Sequence, residues 1–199
     1  TLGGGYVDKL LWDNELITTY FQRNSQLLAT YKGNNSGTDL ESELRSHTDY
    51  DYSRTSTISD IAMPATPGIN KRYYYFNQSH SATYNQVFRV GKNGELGINA
   101  AYLNDRDERS NQSVTTTLLP DGSKNVVDES FNGILHRNIA NGNITYMQNT
   151  ERNYIKEQLK FDWLSTDGYS NIYAGEDIIQ ENNVENYRLH NLFHLTSRT

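Results

Sequence analysis

Two histidines near the end of the chain, His190 and His194, have a spacing that suits metal binding on a helix. The residues around them alternate with a period of two, however, and this period predicts a strand. On a strand the two side chains lie roughly 13 Å apart on one face and cannot share an ion. We therefore interpret them as histidines on a polar strand face and predict no metal site.

An acidic segment at 104–112 offers a second set of candidate ligands, the carboxylates of Asp105, Asp107 and Glu108. A calcium-binding loop of the EF-hand type needs a liganding residue at its fifth position and glycine at its sixth. Arg109 occupies the fifth position, and no glycine takes the sixth. The segment is therefore predicted to be a solvated acidic loop.

Tyrosines occur beside charged residues in two polar segments. Tyr50 and Tyr52 alternate with aspartates, while Tyr73 and Tyr74 follow Arg72. Such clusters on loops can stack against sugar rings or peptides, so these four tyrosines are the candidate ligand-binding residues. The alternative is ordinary loop packing, or tyrosines at a membrane interface.

Catalytic motifs are absent from the sequence. It contains no Gly-x-Ser-x-Gly, His-Glu-x-x-His, Walker A or Gly-x-Gly-x-x-Gly pattern. Carboxylates are abundant, but the sequence gives no distance between any two of them, so no glycosidase pair can be named. We predict a protein that is not an enzyme and has no cofactor. Four Asn-x-Ser/Thr triplets, beginning at Asn34, Asn77, Asn111 and Asn143, are interpreted as chance occurrences in a chain rich in these residues.

The composition describes a polar but ordered chain. Of 199 residues, 35% are hydrophobic, 15 are tyrosine and only 3 are proline. Disordered chains lack aromatic and β-branched residues, so strands with long polar connections are expected. The net charge of -6 is spread along the chain with no run of Lys and Arg, which argues against a nucleic-acid partner. Without cysteine, neither disulfides nor a thiolate metal site can form.

The sequence limits how the chain could meet a membrane. It has no run of about 18 apolar residues, as a transmembrane helix would need, but a transmembrane strand needs only about 9 to 11 alternating residues. The first residues, TLGGGYVDK, lack the charged and apolar regions of a signal peptide. Thr1 is therefore expected to lie within a longer protein.

Strand-like segments are joined by connections of alternating length. Residues 22–24, 91–94 and 149–153 form short turns, the second of them in GKNGE, where Asn-Gly suits a hairpin. Long polar connections are predicted at 33–71, 105–141 and 165–185, the second containing a hairpin around Asp121-Gly122. We predict an all-β, antiparallel up-and-down meander of about seven main strands plus this loop hairpin, forming a single unit over 1–199. Outer-membrane barrels alternate in this way between short periplasmic turns and long external loops.

Three segments resemble the barrel strands of TonB-dependent-receptor-like outer-membrane proteins, in the version with a carboxypeptidase-regulatory-like domain and a plug ahead of the barrel. They are LLWDNELITTYFQRNSQLLATYKGNNSGTDL at 10–40, YYYFNQSHSATYNQVFRVGKNGELGINAAYLNDRDERS at 73–110 and NITYMQNTERNYIKEQLKF at 143–161. The resemblance implies a barrel of about 22 strands with a plugged lumen. It also implies energy supplied through TonB.

The chain departs from that whole family pattern, since it has no recognisable plug, no TonB-contacting segment and no final strand ending in an aromatic residue. The resemblance therefore implies a middle segment of such a barrel, in the outer membrane of a Gram-negative bacterium. Its partners would be outer-membrane lipid, a sugar or peptide nutrient, and TonB acting through parts not present here. The isolated fragment is expected to self-associate through its free strand edges and apolar faces.

Two other classes of function stay open. A soluble, secreted β-sheet binding module, such as a carbohydrate-binding or adhesin domain, would agree with the low hydrophobicity. A hydrolase would need a carboxylate pair in a cleft.

The alternation in NYIKEQLKFDWL, 153–164, predicts which side chains lie on each face of this strand. Leu159, Phe161 and Trp163 are predicted to face lipid, and Lys160 and Asp162 to face the lumen. This requires Glu157 to lie near the turn at 149–153, at the level of the head groups.

Overall fold

A computed structural model of the chain describes residues 1–7, 9–41, 61–70 and 76–198. The protein is all-β, and aromatic and β-branched residues, which favour strands, are frequent in it. The eight strands are β1 (Leu2–Val7), β2 (Lys9–Gln22), β3 (Ser25–Asn34), β4 (Phe76–Val90), β5 (Gly94–Leu118), β6 (Lys124–Asn149), β7 (Tyr154–Ala174) and β8 (Asp177–Arg198). Within the described ranges, no helix has the length and apolar character needed to cross a bilayer.

The strands form one antiparallel sheet in which each pairs with its neighbours in sequence, in the order β1 to β8. This confirms the predicted up-and-down meander. The number of strands differs from the prediction, because the glycine-rich segment Leu2–Val7 forms an edge strand on β2. Among the described residues no pairing joins β1 to β8, so the sheet has two open edges.

Three tight turns lie at one end of the sheet, at 23–24, 91–93 and 150–153, as predicted. We call this the turn end. The second turn uses a different glycine from the expected one. Gly91 adopts the positive φ of 65°, whereas Gly94 is the first residue of β5.

At the opposite end of the sheet, two of the predicted long loops are wrong. Residues 105–141 are almost entirely strand, with β5 and β6 meeting in a turn at 119–123. Residues 165–185 are likewise strand, broken only by the turn at Gly175, whose φ is 65°. Most residues of these segments are polar, so their apolar residues show no continuous period of two.

The Pro-Asp-Gly hairpin is confirmed as the turn between β5 and β6. Gly122 has a φ of 82°, and its N–H donates to the Leu119 carbonyl at 2.9 Å. Asp121 accepts hydrogen bonds from the hydroxyl and N–H groups of Ser123, which lowers the pKa of the exposed Asp121 carboxyl.

The third predicted loop, 33–71, begins where β3 ends at Asn34. Its described parts, 35–41 and 61–70, contain no strand. They pack on one face of the sheet, and we refer to these two segments together as the connection. Residues 42–60 and 71–75 lie outside the described part of the chain.

The small hydrophobic core lies between the connection and the sheet. Leu40 of the connection packs with Ala101, Leu103 and Ile139, and with the partly buried Leu164. The sheet residues of this cluster belong to three adjacent strands and point to the same side. The connection therefore has a fixed place over β5, β6 and β7.

Candidate functional site

The two faces of the sheet differ in chemistry. Residues paired directly across neighbouring strands share a face, and faces alternate along each strand. The face that carries Leu159, Phe161 and Trp163 we call the apolar face, and the face that carries Asp105, Arg137 and the connection we call the polar face. Lys160 and Asp162 lie on the polar face, as the alternation predicts.

Hydrophobic side chains on the apolar face form a band that crosses the sheet from β2 to β8. Strand pairing defines two rows of this band, each with one residue from every strand from β2 to β8. The first row is Tyr20, Leu27, Gln86, Ile98, Ile144, Leu159 and Phe193. The second row is Leu16, Tyr31, Ala82, Tyr102, Ala140, Trp163 and Leu189. The exception, Gln86, is hydrogen-bonded to Tyr84 and Ser25. Phe161 is 41% exposed and Phe193 64% exposed, so no described residue covers the band.

The band ends at the same register on each strand. The row beyond Trp163 reads Asn14, Gly33, His80, Asn104, Asn138, Ser165 and Tyr187, and the following row includes Arg106, His136, Asp167 and Glu185. At the turn end, Glu157 pairs with Tyr146 and Leu195, only a few residues from the turn at 150–153. Glu157 therefore lies toward the turn end of the apolar face.

Tyrosine hydroxyls mark both edges of the band. Toward the turn end, Tyr20 and Tyr146 donate to Gln22 and Gln148, at 3.1 and 3.4 Å. At the other edge the hydroxyls point the opposite way, since Tyr102 donates to Asn138 at 2.9 Å. There too, the Tyr31 hydroxyl lies 2.8 Å from Nδ1 of His80. The phenol rings thus lie in the apolar band, and their polar tips point away from its middle.

Gly33 makes room for an aromatic cluster at the second edge. The ring centroids of Trp12 and His80 are 5.3 Å apart, and those of Tyr31 and His80 are 6.2 Å apart. A Cβ atom on Gly33 would meet the Trp12 ring and the Tyr31 hydroxyl, each at 2.9 Å. A side chain here would therefore displace the cluster.

On the polar face, two buried asparagines hold the start of the connection. Asn34 and Asn77 are 1% and 4% exposed, and the Asn77 amide donates to Asn34 Oδ1 at 2.9 Å. The Gly37 N–H donates to Asn77 Oδ1, and both amide nitrogens donate to the Thr38 carbonyl. The two side chains thus satisfy backbone groups that the end of β3 would otherwise leave unpaired.

A chain of ionic contacts continues from these asparagines. Asn77 donates to the Ser79 hydroxyl, which donates to Asp105 Oδ1 at 2.5 Å. The other oxygen of Asp105 lies 2.7 Å from Nη2 of Arg137, and Nη1 of Arg137 lies 2.7 Å from Glu41 of the connection. Arg137 therefore joins the sheet to the connection through two carboxylates.

The predicted solvated acidic loop is wrong for two of its three residues. Asp105 and Asp107 are 3% and 1% exposed, since both point from β5 to the polar face. Asp107 holds the side chain of Arg109, with contacts to Nε at 3.1 Å and to Nη2 at 2.5 Å. Glu108 is on the opposite face, where it pairs with Arg106.

Two glycines let the connection approach the sheet. A Cβ on Gly133 would lie 2.7 Å from the Met63 sulfur and 3.2 Å from the Pro64 ring. A Cβ on Gly168 would lie 3.0 Å from Leu135 and 3.1 Å from Ile61. Beside this contact, a cavity of about 300 Å³ separates Pro64–Pro67 from Arg109, Ser110 and Asn111.

Of the other residues that the sequence singled out, the histidines are described by the structure and the candidate ligand-binding tyrosines are not. Tyr50, Tyr52, Tyr73 and Tyr74 lie outside the described residues. His190 and His194 lie on the polar face of β8, where they pair with Asp162 and Gln158. His190 Nδ1 is 3.5 Å from Asp162. In the described ranges, no group of three or more His, Asp or Glu side chains could hold a metal ion.

No protein-family model matches the sequence, and no curated protein matches it either. The function must therefore be argued from the geometry of the two faces.

Proposed function

We propose that the chain forms part of the wall of an outer-membrane β-barrel, in a TonB-dependent-type receptor or transporter that captures a nutrient. The observation that supports this most is the exposed apolar band on the face opposite the connection. The band is bordered on both sides by tyrosines whose hydroxyls point outward. Barrel walls have such a lipid-facing band between two aromatic girdles.

The height of the band agrees with a bilayer. On β7 this face extends from Ile155 to Trp163, with Glu157 near the turn end as its one charged residue. A tilted transmembrane strand crosses the hydrocarbon region with about 9 to 11 residues. Beyond Ser165 the strands turn polar on both faces, which agrees with wall that continues into water outside the membrane.

The position of the connection argues against the soluble β-sheet module. A soluble sheet gains stability by covering its apolar face, because burying apolar surface is the main favourable contribution to folding. Here the chain places its own connection on the polar face and leaves Leu159 and Phe161 exposed. This arrangement is favourable if lipid lies against the apolar face. The polar face would then line the lumen, with the connection folded over it.

Spin labels along β7 test the proposal directly, because the chain has no cysteine of its own. Single cysteines replace Gln158, Leu159, Lys160, Phe161 and Asp162 in turn, in the protein refolded into lipid vesicles. We expect labels at 159 and 161 to be relaxed by oxygen, which dissolves in lipid. Labels at 158, 160 and 162 should be relaxed by a water-soluble nickel complex.

The pattern of both probes separates the two classes of function. A period of two with opposite phases for oxygen and nickel supports the membrane wall. Labels at 159 and 161 that neither probe reaches would show a protein partner or core against the apolar face, and the membrane proposal would then be abandoned.

A further inference from the structure

The cavity between the connection and β5 has one charged group on its wall. Its lining consists of Pro64, Ala65, Thr66 and Pro67 from the connection and Arg109, Ser110 and Asn111 from the strand. Arg109 is the sole charged residue of the seven, and no carboxylate lines the space. A negatively charged group entering here would meet the Arg109 guanidinium, whose other side is paired with the Asp107 carboxylate.

Arg109 is held in a fixed orientation by a carboxylate behind it. The Asp107 carboxylate accepts hydrogen bonds from Nε and Nη2 of the guanidinium, the two nitrogens on one side of the group. Within the part of the chain that the structure describes, no other contact to the guanidinium occurs. The remaining N–H groups, on Nη1 and the far side of Nη2, form a second fork of the kind that binds a carboxylate with two parallel hydrogen bonds.

The other residues of the lining suit the rest of a small organic acid. Thr66 and Asn111 carry a hydroxyl and an amide group on the lining, while the two proline rings supply apolar surface. The volume of about 300 Å³ lies at the lower end of the range of about 300 to 1,000 Å³ for small-molecule sites. The cavity thus has room for one small ligand, or for the end of a longer one.

We propose that this cavity binds the carboxylate group of a small ligand, such as the free C-terminus of a short peptide, through the end-on fork of Arg109. The proposal rests on the proposed function for its biological sense, since it assigns a ligand class to the face that would line the lumen. The geometry on which it stands does not depend on lipid.

The test compares two probes that differ only in charge, N-acetyl-glycylglycine and its C-terminal amide. Binding to the folded protein is measured by isothermal titration calorimetry. The acid should bind about tenfold or more tightly than the amide, since a hydrogen bond to a charged group contributes more than one to a neutral group. Equal binding of both probes, or binding of neither, would overturn the proposal.

Variants identify the residue responsible. Arg109→Gln should remove the preference for the acid, but it leaves the buried Asp107 charged and can impair folding. The double variant Asp107→Asn with Arg109→Gln removes both charges, so a folded protein without the preference is expected. Arg106→Gln is the matched control, because Arg106 is on the same strand but on the opposite face. A double variant that keeps the preference would show that the acid binds elsewhere.

The spin-label pattern on the same preparation distinguishes failure of this site from failure of the membrane proposal. A preserved period of two together with equal binding of acid and amide would refute the carboxylate site alone.

Discussion

Arg137 is the side chain that connects the sheet to the connection, through Asp105 on one side and Glu41 on the other. Replacing it by glutamine leaves the buried Asp105 carboxylate without this guanidinium. We expect Arg137→Gln to lower the free energy of unfolding by about 3 kcal/mol, because breaking a buried ion pair leaves an uncompensated charge. Denaturant unfolding of the protein refolded in lipid vesicles measures the change.

Arg106→Gln provides the control for this prediction. Arg106 and Glu108 form an ion pair at 3.1 Å whose side chains are 38% and 52% exposed. Exposed pairs contribute little, so the control should change stability by less than about 1 kcal/mol. Similar effects of the two substitutions would mean that Asp105 is solvated or finds another cation in the folded protein.

The residues of this network could not have been identified from the sequence. Asn34 and Asn77 looked like chance glycosylation triplets, and Asp105 and Asp107 looked like parts of a solvated loop. The same types of polar residue occur in loops and at buried positions of strands, so residue type does not distinguish the two. The hydrogen-bond partner of a buried polar side chain depends on the register of strands that are far apart in sequence. The pairing of Asp105 with Arg137 is such a case.

Among the elements, the connection depends on two glycines of the sheet for its close packing. Gly168→Ala would bring a Cβ to 3.1 Å from Ile61, and Gly133→Ala would bring one to 2.7 Å from Met63. Overpacking of this kind costs about 1 kcal/mol or more. We expect the backbone amides of Ile61, Ala62 and Met63, the residues of 61–64 that carry an N–H, to exchange hydrogen about fivefold faster or more in either variant, because local opening becomes easier.

Gly142→Ala is the matched control for these two substitutions. Its Cβ would lie 3.7 Å from the Asn99 carbonyl oxygen and 4.0 Å from Phe161, both ordinary contacts. Exchange at 61–64 should therefore stay at the parental rate. Unchanged exchange in all three variants would show that the connection is not held by its contact with β6 and β7.

The elements could be predicted from the sequence only where one face is apolar. The period of two in 155–163 placed Lys160 and Phe161 on opposite faces, and the pairing of β7 agrees. At 105–118 and 165–174 most side chains on both faces are polar. The side chains still alternate between the faces, but this alternation produces no hydrophobic pattern. Strand there depends on pairing with the neighbouring strand, which a local pattern does not reveal.

At the scale of the whole molecule, the sheet combines an uncovered apolar face with two open edges. Unpaired strand edges and large apolar patches each promote association. In a barrel, further strands would pair with β1 and β8, and lipid would cover the band. A barrel in a membrane would thus both pair the two open strand edges and cover the apolar face.

The strand register places Phe161 within the apolar band. Its row, which includes Ala29, Tyr84, Ala100 and Gly142, lies between the rows of Leu159 and Trp163. Phe161 is therefore inside the band, one row from Leu159, the middle of the stretch 155–163. In the intact barrel, Phe161→Arg should lower the free energy of unfolding by about 2 to 4 kcal/mol, as expected for a charge on the lipid face near the bilayer midplane.

Lys160→Arg is the comparison on the adjacent residue, which points to the polar face. It keeps the charge on the side that would line the lumen, so it should leave stability nearly unchanged. Reversible unfolding in lipid vesicles measures the change in free energy of unfolding for both variants. Equal and small effects at 160 and 161 would show that the apolar band does not face a membrane, because a charge on this face is costly only where apolar surroundings cover it.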